Sequence, residues 1–266
     1  MATIQAGYRN RIQVAWRNVQ ANRQLRPADL INGFRMVQPL RALATPGPQS
    51  FDVAHLALEM FTRLHVRYEP RPMDGMTPCA SRDSVTGHVP DAPRVGLFVD
   101  APDHLSGVCM TLAEWRREAQ ATGMPLTLHT CSPSVSANDF VTFRPMGSLG
   151  LDAYHGLALQ IPRMDEVFAY IQRMEFDVVH VSSPGPMGLL GLLAARQRGL
   201  PVCGTYHTDF PRYARELTGD PQLEETGWQF MRWFYGQLDR VAVPTESIRR
   251  ELVDHGFDTQ PGDAVQ

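Results

Sequence analysis

From residue 94 onward the sequence alternates short apolar runs with stretches of helical periodicity, and this alternation restricts the chain more than any other feature. The runs 94–100 (RVGLFVD), 125–131 (PLTLHTC), 177–181 (DVVHV), 201–206 (PVCGTY) and 240–243 are rich in Val and Leu, and two further short strands are expected at 140–143 and 157–161. Between them, 107–121, 164–174, 185–198, 209–217, 223–238 and 246–255 place apolar residues at helical spacing. Buried strands separated by helices of roughly 10–15 residues specify βαβ units, hence a parallel sheet covered on both faces. The expected fold class is α/β, a doubly wound Rossmann-like parallel sheet.

The first third of the chain does not follow this pattern. Residues 1–69 read as a helical segment of no assigned chemistry, with one helix carrying Tyr8, Ile12, Ala15, Trp16 and Val19 on a single face and a second helix over 51–68. Seven Arg against Asp29 make residues 1–41 basic, so the first helix either lies on an anionic membrane surface or packs its stripe against another domain. Residues 70–93 are dominated by Pro, Gly, Ser, Asp and Thr and read as a linker. The α/β domain is expected at 94–257, with 258–266 as a short tail.

Composition removes several kinds of chemistry. All 25 basic residues of the Lys+Arg tally are Arg, so there is no P-loop lysine, no Schiff base and no lysine general base. Anionic groups must meet guanidinium or backbone N–H. The formal charge of −3 divides into +4 over residues 1–93 and −7 over 94–266. Cys79, Cys109, Cys131 and Cys203 are widely spaced and read as reduced thiols rather than a zinc site or disulfide frame. No His-x-His, His-Glu-x-x-His or acidic calcium loop is present, and no metal is expected. The longest uncharged apolar run, Met187–Ala195, falls well short of the roughly 20 residues a spanning helix needs, which predicts a cytoplasmic protein.

Ligands of open parallel sheets bind beyond the carboxyl ends of the strands, so the loops there hold the candidate functional residues. The loop 101–107 (APDHLSG) brings Ser106, Gly107 and Val108 to a helix start, where backbone N–H groups can approach a phosphate. It lacks Gly-x-Gly-x-x-Gly, which argues against a nicotinamide oxidoreductase. The loop 182–188 (SSPGPMG) reads as a capped helix start, as does 244–247 (PTES), with Thr245 as N-cap. The loop 206–212 (YHTDFPR) gathers His207, Thr208, Asp209 and Arg212 directly after an apolar strand, where the crevice would receive them. His180, within the strand DVVHV, reads as packed rather than catalytic.

The runs 176–212 (FDVVHVSSPGPMGLLGLLAARQRGLPVCGTYHTDFPR) and 230–251 (FMRWFYGQLDRVAVPTESIRRE) resemble the amino-terminal domain of GT-B glycosyltransferases of family 4. Gly107, Val108 and Thr111 resemble the Gly-Val-x-x-Thr opening of that family's first helix. The resemblance covers 94–257, and Tyr206–Phe210 is its most specific part.

The resemblance implies transfer of a mannose- or glucose-like sugar from a nucleotide sugar to an acceptor hydroxyl on a lipid or glycan, with retention at the anomeric carbon and no metal or other cofactor. Ser106, Gly107 and Val108 would approach the donor phosphates, and His207 would lie near the donor sugar as the catalytic residue. Tyr206, Thr208, Asp209 and Arg212 would shape the acceptor side. The family's donor-binding domain, with its Arg and Lys pair and Glu-x7-Glu motif, would follow residue 257. The chain is therefore expected to hold only the acceptor half, to be completed by a separate polypeptide or to be inactive alone, with peripheral contact to a membrane as a further expectation and no binding of nucleic acid. A non-catalytic binding or assembly module built on the same half is the alternative.

Overall fold

The computed structural model describes residues 67–70, 92–100, 102, 107–132, 139–150 and 158–257. Nearly all of the amino-terminal helical segment, most of the linker, Ser106 and the tail lie outside the described residues.

Nine strands and six helices are described. In chain order they are β1 (Arg67–Pro70), β2 (Val95–Phe98), α1 (Gly107–Thr122), β3 (Leu126–Thr130), β4 (Val141–Thr142), β5 (Pro145–Gly150), β6 (Ala158–Pro162), α2 (Met164–Arg173), β7 (Val178–Val181), α3 (Pro186–Gln197), β8 (Val202–Thr205), α4 (Phe210–Thr218), α5 (Pro221–Gly236), β9 (Arg240–Ala242) and α6 (Glu246–Asp254). Six strands form one sheet in the order β4-β3-β2-β7-β8-β9, and all five of its pairings are parallel. The expected α/β class is what the structure has. The strand order reverses between β2 and β7, and a doubly wound sheet opens its crevice at such a point.

Two expectations differ from the structure. Arg67 and Tyr68, read above as the end of a helix and of the segment 1–69, open strand β1, and Pro70, read as the first linker residue, closes it. Pro145–Gly150 (PMGSLG), for which no element was expected, is also a strand. Both belong to a second sheet, ordered β1-β5-β6. Pairing overrides a local sequence of Pro, Gly and Ser that has little strand preference of its own.

The chain divides into two compact units, 69–149 with 157–209 and 234–266 in one, and 1–68 with 150–156 and 210–233 in the other. In the larger unit, alternation along β2 sends side chains to opposite faces of the sheet. Leu97 and Val99 meet Leu112 of α1 together with Leu128, with Val108, Trp115, Leu126 and Phe140 packed around them. Phe98 points the other way, towards α3, where a Cβ on Gly191 would lie 2.8 Å from its ring. On that face His129 is fully buried and stacks on Phe98 at 4.4 Å between ring centroids. Its Nδ1 lies 3.1 Å from the Leu97 carbonyl and its Nε2 lies 3.2 Å from the Tyr170 hydroxyl. A ring nitrogen facing a carbonyl must carry the proton, so Nδ1 donates and Nε2 accepts from Tyr170. Burial pulls the His129 pKa down to about 3, and the ring is neutral.

In the smaller unit, Asp220 caps α5 by accepting from Gln222 N–H at 2.9 Å, and Arg215 of α4 pairs with Glu224 of α5 at 2.8 Å. Gly227 brings α5 close to Pro211, whose Cα lies 3.1 Å from where a Cβ would stand. At the far end of the larger unit, Thr245 accepts from Ile248 N–H at 3.3 Å, the N-cap expected for α6.

Candidate active site at the carboxyl edge of the sheet

The crevice between β2 and β7 is bridged by a residue that the sequence did not single out. Asp100, just beyond β2, accepts from the Ser183 hydroxyl at 2.7 Å and from the Met187 and Gly188 N–H groups at 2.7 and 3.4 Å. Its own N–H donates to Ser183 Oγ at 3.1 Å. The carboxylate thus caps α3, the helix start that was expected to be capped, and occupies the positive end of that helix. The glycines of the turn are required by this closeness: a Cβ on Gly185 would stand 2.5 Å from Asp100 Oδ2.

Burial outweighs the hydrogen bonds from Met187, Ser183, Gly188 and Gly185 and raises the Asp100 pKa to about 6. The folded protein then holds this proton more tightly than the unfolded chain, so Asp100 lowers stability as pH climbs from about 4 to about 6 and adds nothing further above that range. Asp100→Asn should abolish this component in urea unfolding at pH 4.5 and 6.5. Asp100→Ala should instead cost about 1–3 kcal/mol near neutrality, because it strips acceptors from Met187 N–H and the Ser183 hydroxyl. Equal urea midpoints for Asp100→Ala and the parent would remove the bridge from this description.

Beyond β8 the turn 206–209 carries the most specific motif. Its residues separate by environment. Tyr206 is 3% exposed, with its ring 5.4 Å from Tyr235 and 6.5 Å from Phe257 and its N–H donating to the Ala242 carbonyl, so it packs the domain. Thr208 is exposed and Asp209 half-buried. Arg212 is exposed in the first turn of α4, which belongs to the smaller unit. His207 is half-buried, yet its Nε2 is covered and has no hydrogen-bond partner among the described residues. Burial lowers its pKa, and the ring is neutral near pH 7.

Two aromatic neighbours complete this corner. The Trp115 ring of α1 lies 5.8 Å from His207 and 5.3 Å from His180, centroid to centroid. His180 is tied by Nε2 to Thr205 Oγ1 at 3.1 Å and by Nδ1 to Cys203 Sγ at 3.4 Å. Burial, then the neighbouring His207, lower its pKa to about 4, so it is a packed neutral ring, as expected. Burial also raises the Cys203 thiol above its ordinary range, so it is no thiolate nucleophile. Gly107 and Val108 open α1, and Val108 packs on the Leu97 cluster. No group of three or more His, Cys, Asp or Glu suited to a metal occurs among the described residues, and none of the described helices is long and apolar enough to cross a membrane.

Comparison with known proteins fits this layout. A family model described as Glycosyltransferase Family 4 matches residues 105–262, more than half of the chain. The sulfoquinovosyl transferase SQD2 of Arabidopsis thaliana is 26% identical over 167 residues, 61% of this chain and 32% of that protein. A GDP-mannose-dependent alpha-mannosyltransferase of Mycobacterium tuberculosis is 35% identical over 81 residues, 30% of this chain and 21% of that protein. An alpha-monoglucosyldiacylglycerol synthase of Streptococcus pneumoniae is 23% identical over 165 residues, 61% of this chain and 37% of that protein. The matched stretch takes in α1, the His207 turn and the Asp100-capped helix α3, and the chain spans 21–37% of the length of these relatives. From the parallel sheet, the motif at its carboxyl edge and the family match together, the chain belongs to glycosyltransferase family 4.

Proposed function

We propose that this chain supplies the acceptor-side half of a retaining glycosyltransferase that moves a mannose- or glucose-like sugar from a nucleotide sugar to a lipid or glycan hydroxyl. The observation that carries the reading is His207: a neutral imidazole at the carboxyl edge of the sheet, within the family-matched region, with Nε2 covered and unpartnered among the described residues. A buried nitrogen without a partner is costly, and a sugar hydroxyl, both donor and acceptor, satisfies either tautomer. The activities named for the relatives, a sulfoquinovosyl transferase, a mannosyltransferase and a glucosyldiacylglycerol synthase, support sugar transfer and, in the last case, a lipid acceptor.

In the proposed reaction the acceptor oxygen bonds to the anomeric carbon on the face from which the nucleoside diphosphate leaves. The carbon–oxygen bond to the diphosphate breaks with its electron pair, and the departing phosphate oxygen takes the proton of the acceptor hydroxyl. No protein base is needed. That suits a site in which Asp100 is already engaged by Ser183 and the α3 N–H groups. The protein's work is then positioning and stabilisation of the leaving group. In this reading Ser106, Gly107 and Val108 approach the donor phosphates, while Thr208 and Asp209 line the acceptor path.

The test is incubation of the chain with radiolabelled nucleotide sugars and a lipid extract, alone and with a separately expressed donor-binding domain of a family 4 glycosyltransferase. Label should move to acceptor in the completed mixture. No consumption of donor in either mixture, with the chain folded and retaining a protein partner, would favour the binding-module alternative instead.

A further inference from the structure

We infer that Trp115 is a positioning residue for His207, fixing the angle at which the imidazole meets the sugar; this rests on the functional reading just given. Buried histidines are normally oriented by a hydrogen bond to one ring nitrogen, which fixes the other. His180 follows that rule through Thr205 and Cys203. His207 does not: no hydrogen bond to its ring is found among the described residues, and its Nε2 is covered. The aromatic face beside it is that of Trp115, tilted by 48° at 5.8 Å.

Trp115 is half-buried and is itself held by the core. It packs on the Leu97, Val99, Leu112 and Leu128 cluster, and meets His180 edge-on at 74°. A rigid indole anchored by the core and by a hydrogen-bonded histidine can restrain a ring that lacks such a bond. Trp115 also lies two helical turns along α1 from Gly107, so one helix serves both the expected phosphate loop and the His207 ring.

The experiment pairs two readouts on Trp115→Leu and Trp115→Phe. Leucine leaves an apolar, smaller side chain at this position and removes the aromatic face, whereas phenylalanine retains a face. The first readout is the NMR titration of each imidazole in the purified, folded chain, which needs no activity. In Trp115→Leu the His207 titration should move up towards the ordinary histidine value as the ring swings into water, while the hydrogen-bonded His180 stays low. Trp115→Phe should restore most of the parent behaviour. The second readout is transfer in the completed mixture, where Trp115→Leu should lower kcat by roughly 10- to 100-fold with KM little changed, as expected for a misplaced group. An unchanged His207 titration in folded Trp115→Leu would overturn the inference whatever the activity. If the titration moves but the parent transfers no sugar, the functional reading falls and the restraint of His207 by Trp115 stands.

Discussion

Replacing Gly188 with alanine is expected to collapse the yield of folded protein. The added Cβ would stand 1.8 Å from the Ser183 carbonyl oxygen, a backbone atom that cannot rotate aside, and 3.9 Å from Asp100 Oδ2. Relief requires moving either the first turn of α3 or the turn 182–185. Both are held by the Asp100 carboxylate, through Met187 N–H and Ser183 Oγ. Strain of this kind in a close-packed region costs about 3 kcal/mol or more, a large share of the stability of an ordinary domain. The informative control is Gly236→Ala, where nothing lies within 4 Å of the new Cβ and the backbone is helical, so stability should hold or rise slightly. Urea midpoints for the two variants measure the contrast. A Gly188→Ala protein as stable as the parent would show that the turn is looser than described.

Acidification should destabilise the fold well before the ordinary carboxylates titrate. His129 has its pKa depressed from 6.5 to about 3 by burial, and His180 to about 4 by burial and His207. A depressed histidine binds its proton more weakly in the folded state, so its stabilising contribution is complete above pH 6.5 and is lost as pH falls towards the folded value. Between pH 7 and 5 the loss from His129 alone is about 2 kcal/mol, with His180 acting in the same direction and Asp100 opposing both. His129→Gln should remove that part of the slope while lowering stability at neutrality, since it leaves the stack on Phe98. Urea unfolding at pH 7, 6 and 5 reads it. An undiminished slope in His129→Gln would assign the acid sensitivity elsewhere.

The sheet was legible because a parallel strand is buried on both faces and therefore reads as a continuous apolar run, as in VGLF and VVHV. The second sheet was not legible. PMGSLG has the composition of a loop, and its strand state comes from neighbours distant in sequence. In the candidate site, His207 stood out because a polar cluster directly follows an apolar strand. Tyr206 lay in the same motif, but nothing local tells that its ring turns inward to Tyr235 and Phe257. Asp100 read as the last residue of an apolar strand, and its bridging role was hidden because its partners Ser183 and Met187 lie 83 and 87 residues away. Trp115 fits the apolar stripe of α1 as well as any core residue does, and its contact with His207 depends on how β8 is placed in the sheet. In each case the missing information was long-range register, which follows from the sheet order rather than from local spacing.

The central claim is that His207 meets the sugar during transfer, and label transfer by the completed mixture with His207→Ala tests it most directly. The variant should keep the parent's circular dichroism and lose only the modest stability of a half-buried ring, because that ring makes no hydrogen bond among the described residues that folding would lose. Transfer should fall by about 100-fold or more, the loss expected when a group aimed at the reacting sugar is removed. A folded His207→Ala protein that transfers sugar at the parent rate would contradict the account.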